Sequence, residues 1–188
     1  LVVSGGVLGT LKLLLEQKYV HKTLPNLSDK LGENILTNSE MIAGVGGAHQ
    51  KLNNGIAISR VFNPDENTHI ELCKYPDGSG AMMRLGVMAA GDGSALVRTA
   101  KMLGNMISQP INSFRFFFET EVAKKSIVLL IMQSLPNAMK MQIKKGIFGS
   151  SLKFDNEHGI KVPSYIPIGQ EVVYRYAEKA NAVPMNAF

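Results

Sequence analysis

In the segment His69-Ile70-Glu71-Leu72-Cys73, a carboxylic acid stands two residues after an imidazole and two before the only cysteine of the chain. If the segment is a strand, successive side chains alternate between its faces, and His69, Glu71 and Cys73 share one. Were that face buried, desolvation would raise the Glu71 carboxyl above its usual range and make it a usable general base. The competing reading is a carboxylate on a wet sheet face, paired with Lys74 or Arg84. The polar triplet Asn38-Ser39-Glu40 leads into an apolar run, and its residue types alone suit a strand-entry turn held by side-chain hydrogen bonds.

A second grouping lies at the start. Leu1-Val2-Val3 reads as a buried parallel strand with no partner before it, which points to a larger fold. It runs into Ser4-Gly5-Gly6-Val7-Leu8-Gly9-Thr10 and then Leu11–Gln17. A strand, glycine turn and helix start of this kind let backbone N–H groups approach a phosphate or nucleotide. The glycine spacing is not G-x-G-x-x-G and no second βαβ unit follows, so a plain structural turn stays open. The cluster Gly44–Gly47 before His49-Gln50-Lys51 lacks the G-K-[ST] of a phosphate loop. His21, His49, His69 and His158 are scattered without ligand spacing, so no metal site is expected. No Ser/His/Asp order supplies a hydrolase nucleophile. Met82, Met83, Met88, Met102, Met106, Met139 and Met141 suit either an adaptable apolar pocket or core filling. Phe114, Phe116, Phe117 and Phe118 read as core or interface.

The elements that must position these residues follow from turn signals and periodicity. Residues 19–37, with turns at Pro25–Asp29 and Gly32–Asn34, form a connector. Met41–Val45, Ile56–Phe62 and His69–Tyr75 are strands, separated by Asn/Gly and Asn63–Asn67 turns, which predicts an antiparallel meander. Ser94–Ile107 places Leu96, Val97, Ala100, Leu103 and Ile107 on one stripe of an amphipathic helix, with Asp92 or Ser94 as its N-cap. A second helix is expected over 111–122. Ser126–Ser134 and Met139–Ile143 read as strands of the same sheet. A last helix over Glu171–Ala180 ends at Asn181 and Pro184, and the chain then stops in a loop.

Composition bounds the class. The chain has 188 residues, 45% hydrophobic and 19% charged, enough apolar side chain for a core. Its net charge of +5 is dispersed, so no nucleic-acid partner is expected. A single cysteine excludes an internal disulfide framework and suggests a reducing, cytoplasmic setting. The most apolar window, Ile127–Met132, is far short of the roughly 20 residues of a membrane span. Leu1–Leu15 has no basic segment before it and carries glycines and Lys12, so it is not read as a signal peptide.

Several segments together resemble one family. Leu1–Thr10 with Lys12-Leu13-Leu14, Leu24–Ser28 and Leu31-Gly32 are similar to the interior of the glucose-methanol-choline (GMC) flavoprotein oxidoreductases, and most closely to their cholesterol-oxidase-like branch. Thr37–Glu40, Phe62–Glu71, Tyr75–Ser79, Met132–Leu135 and Tyr165–Gly169 look like blocks of the same branch, and Leu11 stands where much of the family has proline. The resemblance covers nearly the whole chain and is weakest over 86–125.

It implies an α+β fold, an antiparallel β-sheet with helices packed on one side, preceded by a strand-turn-helix belonging to the FAD domain. Residues 1–36 would be the remnant of the FAD-binding domain and 37–188 the substrate-binding domain. Ser4, Gly5, Gly6, Gly9 and Thr10 match the part that helps bind FAD. Glu71 matches the acid that faces the substrate and acts as a base, and Asn38 and His69 fall at substrate-contacting positions. The implied activity is oxidation of an alcohol of a hydrophobic substrate, sterol-like by analogy with the branch, through hydride transfer to flavin. The partners implied are that substrate and the remainder of the FAD domain. The family's amino-terminal dinucleotide fingerprint and its later blocks with catalytic His and Asn are absent, so this chain alone is expected to be inactive. The alternative is a stand-alone module that binds a hydrophobic ligand or a protein without redox activity.

Overall fold

The computed structural model describes residues 2–147, 149–157, 163 and 165–187. Leu1 and His158 lie outside the described residues. The fold is α+β with antiparallel pairing throughout, and it divides into two compact units.

The first unit comprises Leu1–Thr37 and Pro136–Val162. Its helix α1 spans Gly6–Tyr19. The helix therefore starts among the glycines rather than after them, and residues 2–4 form no strand. A strand needs a neighbour to satisfy its backbone groups, and among the described residues no strand pairs with Val2 and Val3. The rest of the unit is a three-stranded sheet of β1 (Ile35–Leu36), β7 (Ala138–Gly146) and β8 (Gly149–Asn156), in the order β1-β7-β8. Leu15 of α1 and Met141 of β7 are buried.

The second unit, Asn38–Leu135 with Pro163–Phe188, is built on a six-stranded sheet. Its strands are β2 (Met41–Gly46), β3 (Ile58–Phe62), β4 (Thr68–Cys73), β5 (Gly86–Met88), β6 (Ile127–Gln133) and β9 (Val183–Ala187). The order is β3-β4-β6-β2-β9-β5. Only β3 and β4 form the expected hairpin; β2 pairs with β6 and β9, so the predicted meander is not formed. Likewise β6 and β7 belong to different sheets, contrary to expectation. Val183–Ala187, where a loop was expected, is a strand inside the sheet.

One face of this sheet is sealed by α5 (Pro167–Ala180). Met41, Ala43 and Val45 of β2, Ile70 of β4, and Ile127, Leu129 and Ile131 of β6 are buried there with Val173 and Ala177 of α5. Alternation along each strand sends every second residue to this core. Contact is close: a methyl group on Gly169 would come within 2.6 Å of Ile131 Cγ2. Asn186 Nδ2 also donates to Gln170 Oε1 at 2.9 Å, linking β9 to α5 within the core.

Beyond β5 lie α2 (Gly80–Met83), α3 (Ala95–Ser108) and α4 (Pro110–Phe118). Ser94 caps α3, its Oγ accepting from Val97 N at 3.4 Å. The ends of the apolar stripe that marks α3 in the sequence point away from the body, Leu96 being 85% and Ile107 82% exposed, while Leu103 of the same stripe lines the cleft beneath the helix. The opposite side, with Met102, Asn105 and Met106, faces the sheet edge.

Candidate functional site

The face of the six-stranded sheet opposite α5 carries the predicted acid. Along β4, Thr68, Ile70 and Leu72 are buried while His69, Glu71 and Cys73 are half-buried on the other side. His69 Nε2 lies 3.3 Å from Glu71 Oε1, and its other ring nitrogen, Nδ1, lies 3.1 Å from Asn63 Oδ1. The three residues thus form a chain from the β3–β4 turn along the strand. Glu71 keeps 25% of its side chain exposed and His69 40%, so solvent or a ligand reaches both.

Apolar neighbours frame the pair. Glu71 stands opposite Val61 on β3 and Leu130 on β6, and His69 stands opposite Met132. Directly opposed residues in an antiparallel pair point to the same face, so the acid and the imidazole sit in an aliphatic surround. Burial pushes the neighbouring Cys73 thiol up, and the negative charge of Glu71 adds to that effect. The expected alternative partners of Glu71 are engaged elsewhere. Lys74 Nζ donates to Asn54 O at 2.7 Å, and Arg84 donates to Phe117 O at 3.1 Å and Glu119 O at 3.0 Å. A carboxylate beside an imidazole at a half-open apolar face can accept a proton from a bound hydroxyl, with the ring fixing its orientation.

Asn38 begins this unit, and its carbonyl accepts from Gln133 N at 3.3 Å. It therefore adjoins the end of β6, where the preceding residue Met132 opposes His69. In the triplet, Ser39 is buried at positive φ (44°), while Asn38 and Glu40 are exposed. Asn63, which the sequence reading did not single out, completes the His69 environment. Its signal was its place in the Asn63–Asn67 turn, since a hairpin turn residue lies close to the strand it feeds.

The glycine grouping belongs to the first unit. Gly5 is the N-cap of α1 with no side-chain cap, which leaves the first N–H groups of the helix without that partner. A methyl group on Gly5 would sit 3.1 Å from Thr10 N, so the turn folds back tightly on Thr10. Gly6 adopts φ +65°, and beyond their chain neighbours and the adjacent backbone of their own helix, neither Gly6 nor Gly9 has an atom within 4 Å of where a Cβ would be. Open space beside glycines at an uncapped helix start fits a diphosphate approaching the backbone. Among the described residues, no cluster of three or more His, Cys, Asp or Glu could hold a metal ion, and no helix is long and apolar enough to cross a membrane.

Comparison with known proteins places this geometry in context. The chain is 31% identical over 186 residues to a cholesterol oxidase of Acinetobacter baumannii, a match covering 98% of this chain and 33% of that protein. It is 32% identical over 194 residues to cholesterol oxidases of Mycobacterium tuberculosis strains CDC 1551 and H37Rv, covering 97% of this chain and 33% of each. The chain thus spans about a third of the length of the curated relatives it matches. No protein-family model matches the chain, and no solved structure matches it.

Proposed function

Starting from a chain that is cholesterol-oxidase-like along nearly its whole length, we propose that it forms the substrate-facing wall of an FAD-dependent oxidoreductase of the GMC family. The reaction is oxidation of an alcohol on a hydrophobic, sterol-like substrate in a cytoplasmic enzyme. The single observation that carries the reading is the His69–Glu71 pair at 3.3 Å on an apolar, half-open sheet face.

Glu71 takes the role of base, receiving a proton from the bound substrate, and His69 orients the carboxylate while Asn63 holds the ring. Val61, Leu130 and Met132 supply the apolar surround that a hydrophobic alcohol would displace water from. Asn38 contributes a polar contact at the neighbouring strand end. Ser4, Gly5, Gly6, Gly9 and Thr10 would hold the cofactor through backbone N–H groups. FAD, when bound, supplies the acceptor for the hydride that leaves the alcohol carbon. Residues 1–36 would belong to the FAD-binding domain and 37–188 to the substrate-binding domain. The compact units of the chain divide differently, Leu1–Thr37 grouping with Pro136–Val162 and Asn38–Leu135 with Pro163–Phe188. With the catalytic His and Asn blocks of the family outside it, this chain alone is inactive in this reading.

The test is Glu71→Gln in the complete flavoprotein. Turnover, or a coupled isomerisation step, should fall by on the order of 10²-fold while flavin content stays unchanged, the scale of a lost general base. Unaltered kinetics would show that Glu71 is structural.

A further inference from the structure

A surface helix ordinarily turns its apolar stripe to the core. On α3 and α4 much of that stripe is turned out instead. Met102, Asn105 and Met106 of α3 face the sheet edge, while Leu96 and Ile107 stand on the outer side. In α4, Ile111, Phe114 and Phe118 recur at helical spacing and are turned outward too. These five residues are between 64% and 85% exposed. Phe114 and Phe118 stack on each other, their ring centroids 4.7 Å apart. Such a run is unfavourable in water and goes beyond the single exposed apolar residues that are normal on a soluble surface.

The charges of the two helices are of one sign. From Gly93 to Phe118 the sequence holds Arg98, Lys101 and Arg115 and no Asp or Glu. Lys101 Nζ donates to the carbonyl of Asp92 at 2.7 Å, and Arg115 donates to the carbonyls of Gly47 and Asn181. Arg84, at the end of α4, donates to those of Phe117 and Glu119. A carbonyl holds a cation in place without cancelling its charge. Among the described residues, none of Arg84, Arg98, Lys101 and Arg115 forms an ion pair. The nearest acids in the sequence are Asp92, before α3, and Glu119, after α4, and Glu119 is paired with Lys125 at 3.0 Å. A second copy meeting this face about a two-fold axis would set the cations against themselves. The complementary surface is apolar with an anionic border, which a bilayer containing acidic phospholipid provides.

We infer that α3 and α4 dock the protein on an anionic lipid surface, lying in its plane. Leu96, Ile107, Ile111, Phe114 and Phe118 enter the boundary of the acyl chains, and the exposed cations Lys101 and Arg84 face the headgroup phosphates. This face includes neither Glu71 nor the glycine turn, so lipid docking and the flavin reading fail separately.

The experiment is co-sedimentation of the protein expressed from the uninterrupted reading frame that contains this chain with two kinds of vesicle. One is phosphatidylcholine alone, the other equimolar phosphatidylcholine and phosphatidylglycerol. The anionic vesicles should bind about tenfold or more tightly, and added salt should weaken that binding. On them, amide hydrogen exchange of the unaltered protein should slow over 95–118 and stay unchanged over 68–73. Ile107→Gln combined with Ile111→Gln should lower the affinity about tenfold or more while the unfolding midpoint is kept, since both side chains stand in solvent. No binding to either vesicle would overturn the proposal and mean that the rest of the protein covers this face. Equal affinity for the two vesicles, or protection confined to other segments, would overturn it without any variant having to fold. So would a dimer, in the absence of lipid, that the double substitution dissociates, because a second copy would then be the occupant.

Discussion

Asn105 of α3 donates to the carbonyl of Ala89 at 3.0 Å, taking the place of the N–H that Pro184 lacks. Ala89 N donates to Pro184 O at 2.9 Å, one register step beyond the Met88–Met185 pair. In an antiparallel ladder such a pair exchanges two hydrogen bonds, and proline can supply only one. The side chain of Asn105 closes the ladder from outside the sheet and ties α3 to its edge. Ala89 is 4% exposed, so Asn105→Ala leaves its carbonyl buried without that donor and should cost about 1–3 kcal/mol. Urea unfolding checks this; a variant as stable as the parent would mean that another donor reaches Ala89.

His69 lies between two acceptors, Glu71 Oε1 and Asn63 Oδ1. The carboxylate cannot donate, so Nε2 must carry the proton, whichever state Nδ1 is in. ¹⁵N NMR of the ring should therefore show a protonated Nε2, and Glu71→Gln should relax that preference. A neutral ring protonated at Nδ1 in the unaltered chain would break the pair on which the proposed base depends.

In the first unit, Lys140 of β7 and Lys30 hold the Glu33 carboxyl down at about 2, from an ordinary 4.5. Both ammonium groups lie 2.9 Å from its oxygens. A depressed folded value means that the contribution to stability is fully present above about pH 4.5 and is lost as pH falls toward about 2. Glu33→Gln should lower Tm near neutral pH, with the difference from the parent shrinking toward pH 2. A difference that stays constant across that window would mean that packing, not charge, sets the effect.

Gly6 stands at φ +65° with free space around it, so a larger side chain is excluded by backbone conformation rather than by a neighbour. A β-branched residue pays about 1–2 kcal/mol in this region. Gly6→Val should therefore unsettle the start of α1 and lower flavin occupancy in the complete protein. Full occupancy would remove the glycine turn from the cofactor site.

Where local pattern and tertiary role coincide, the sequence was readable. The alternation Thr68-His69-Ile70-Glu71-Leu72-Cys73 placed the acid and the imidazole on the correct shared face, and the periodicity of Ser94–Ile107 located α3. Partner choice was not readable. Nothing local tells β2 to pair with β6, more than eighty residues away, rather than with β3. Asn181 at φ 45° and Pro184 are stop signals for α5, yet the chain re-enters the sheet as β9 between β2 and β5, with Asn105 donating to the carbonyl that the proline leaves without a partner. The stripe on α3 identified the helix but not which way it turns, since the methionines that face the body lie off the stripe.

The most direct test of the account is the visible absorption spectrum of the protein expressed from the uninterrupted reading frame that contains this chain, after desalting. The account predicts a flavin band at near-stoichiometric intensity there, and none for the 188-residue chain mixed with FAD and desalted. A colourless protein from that reading frame would contradict it and leave the chain as a hydrophobic-ligand-binding module.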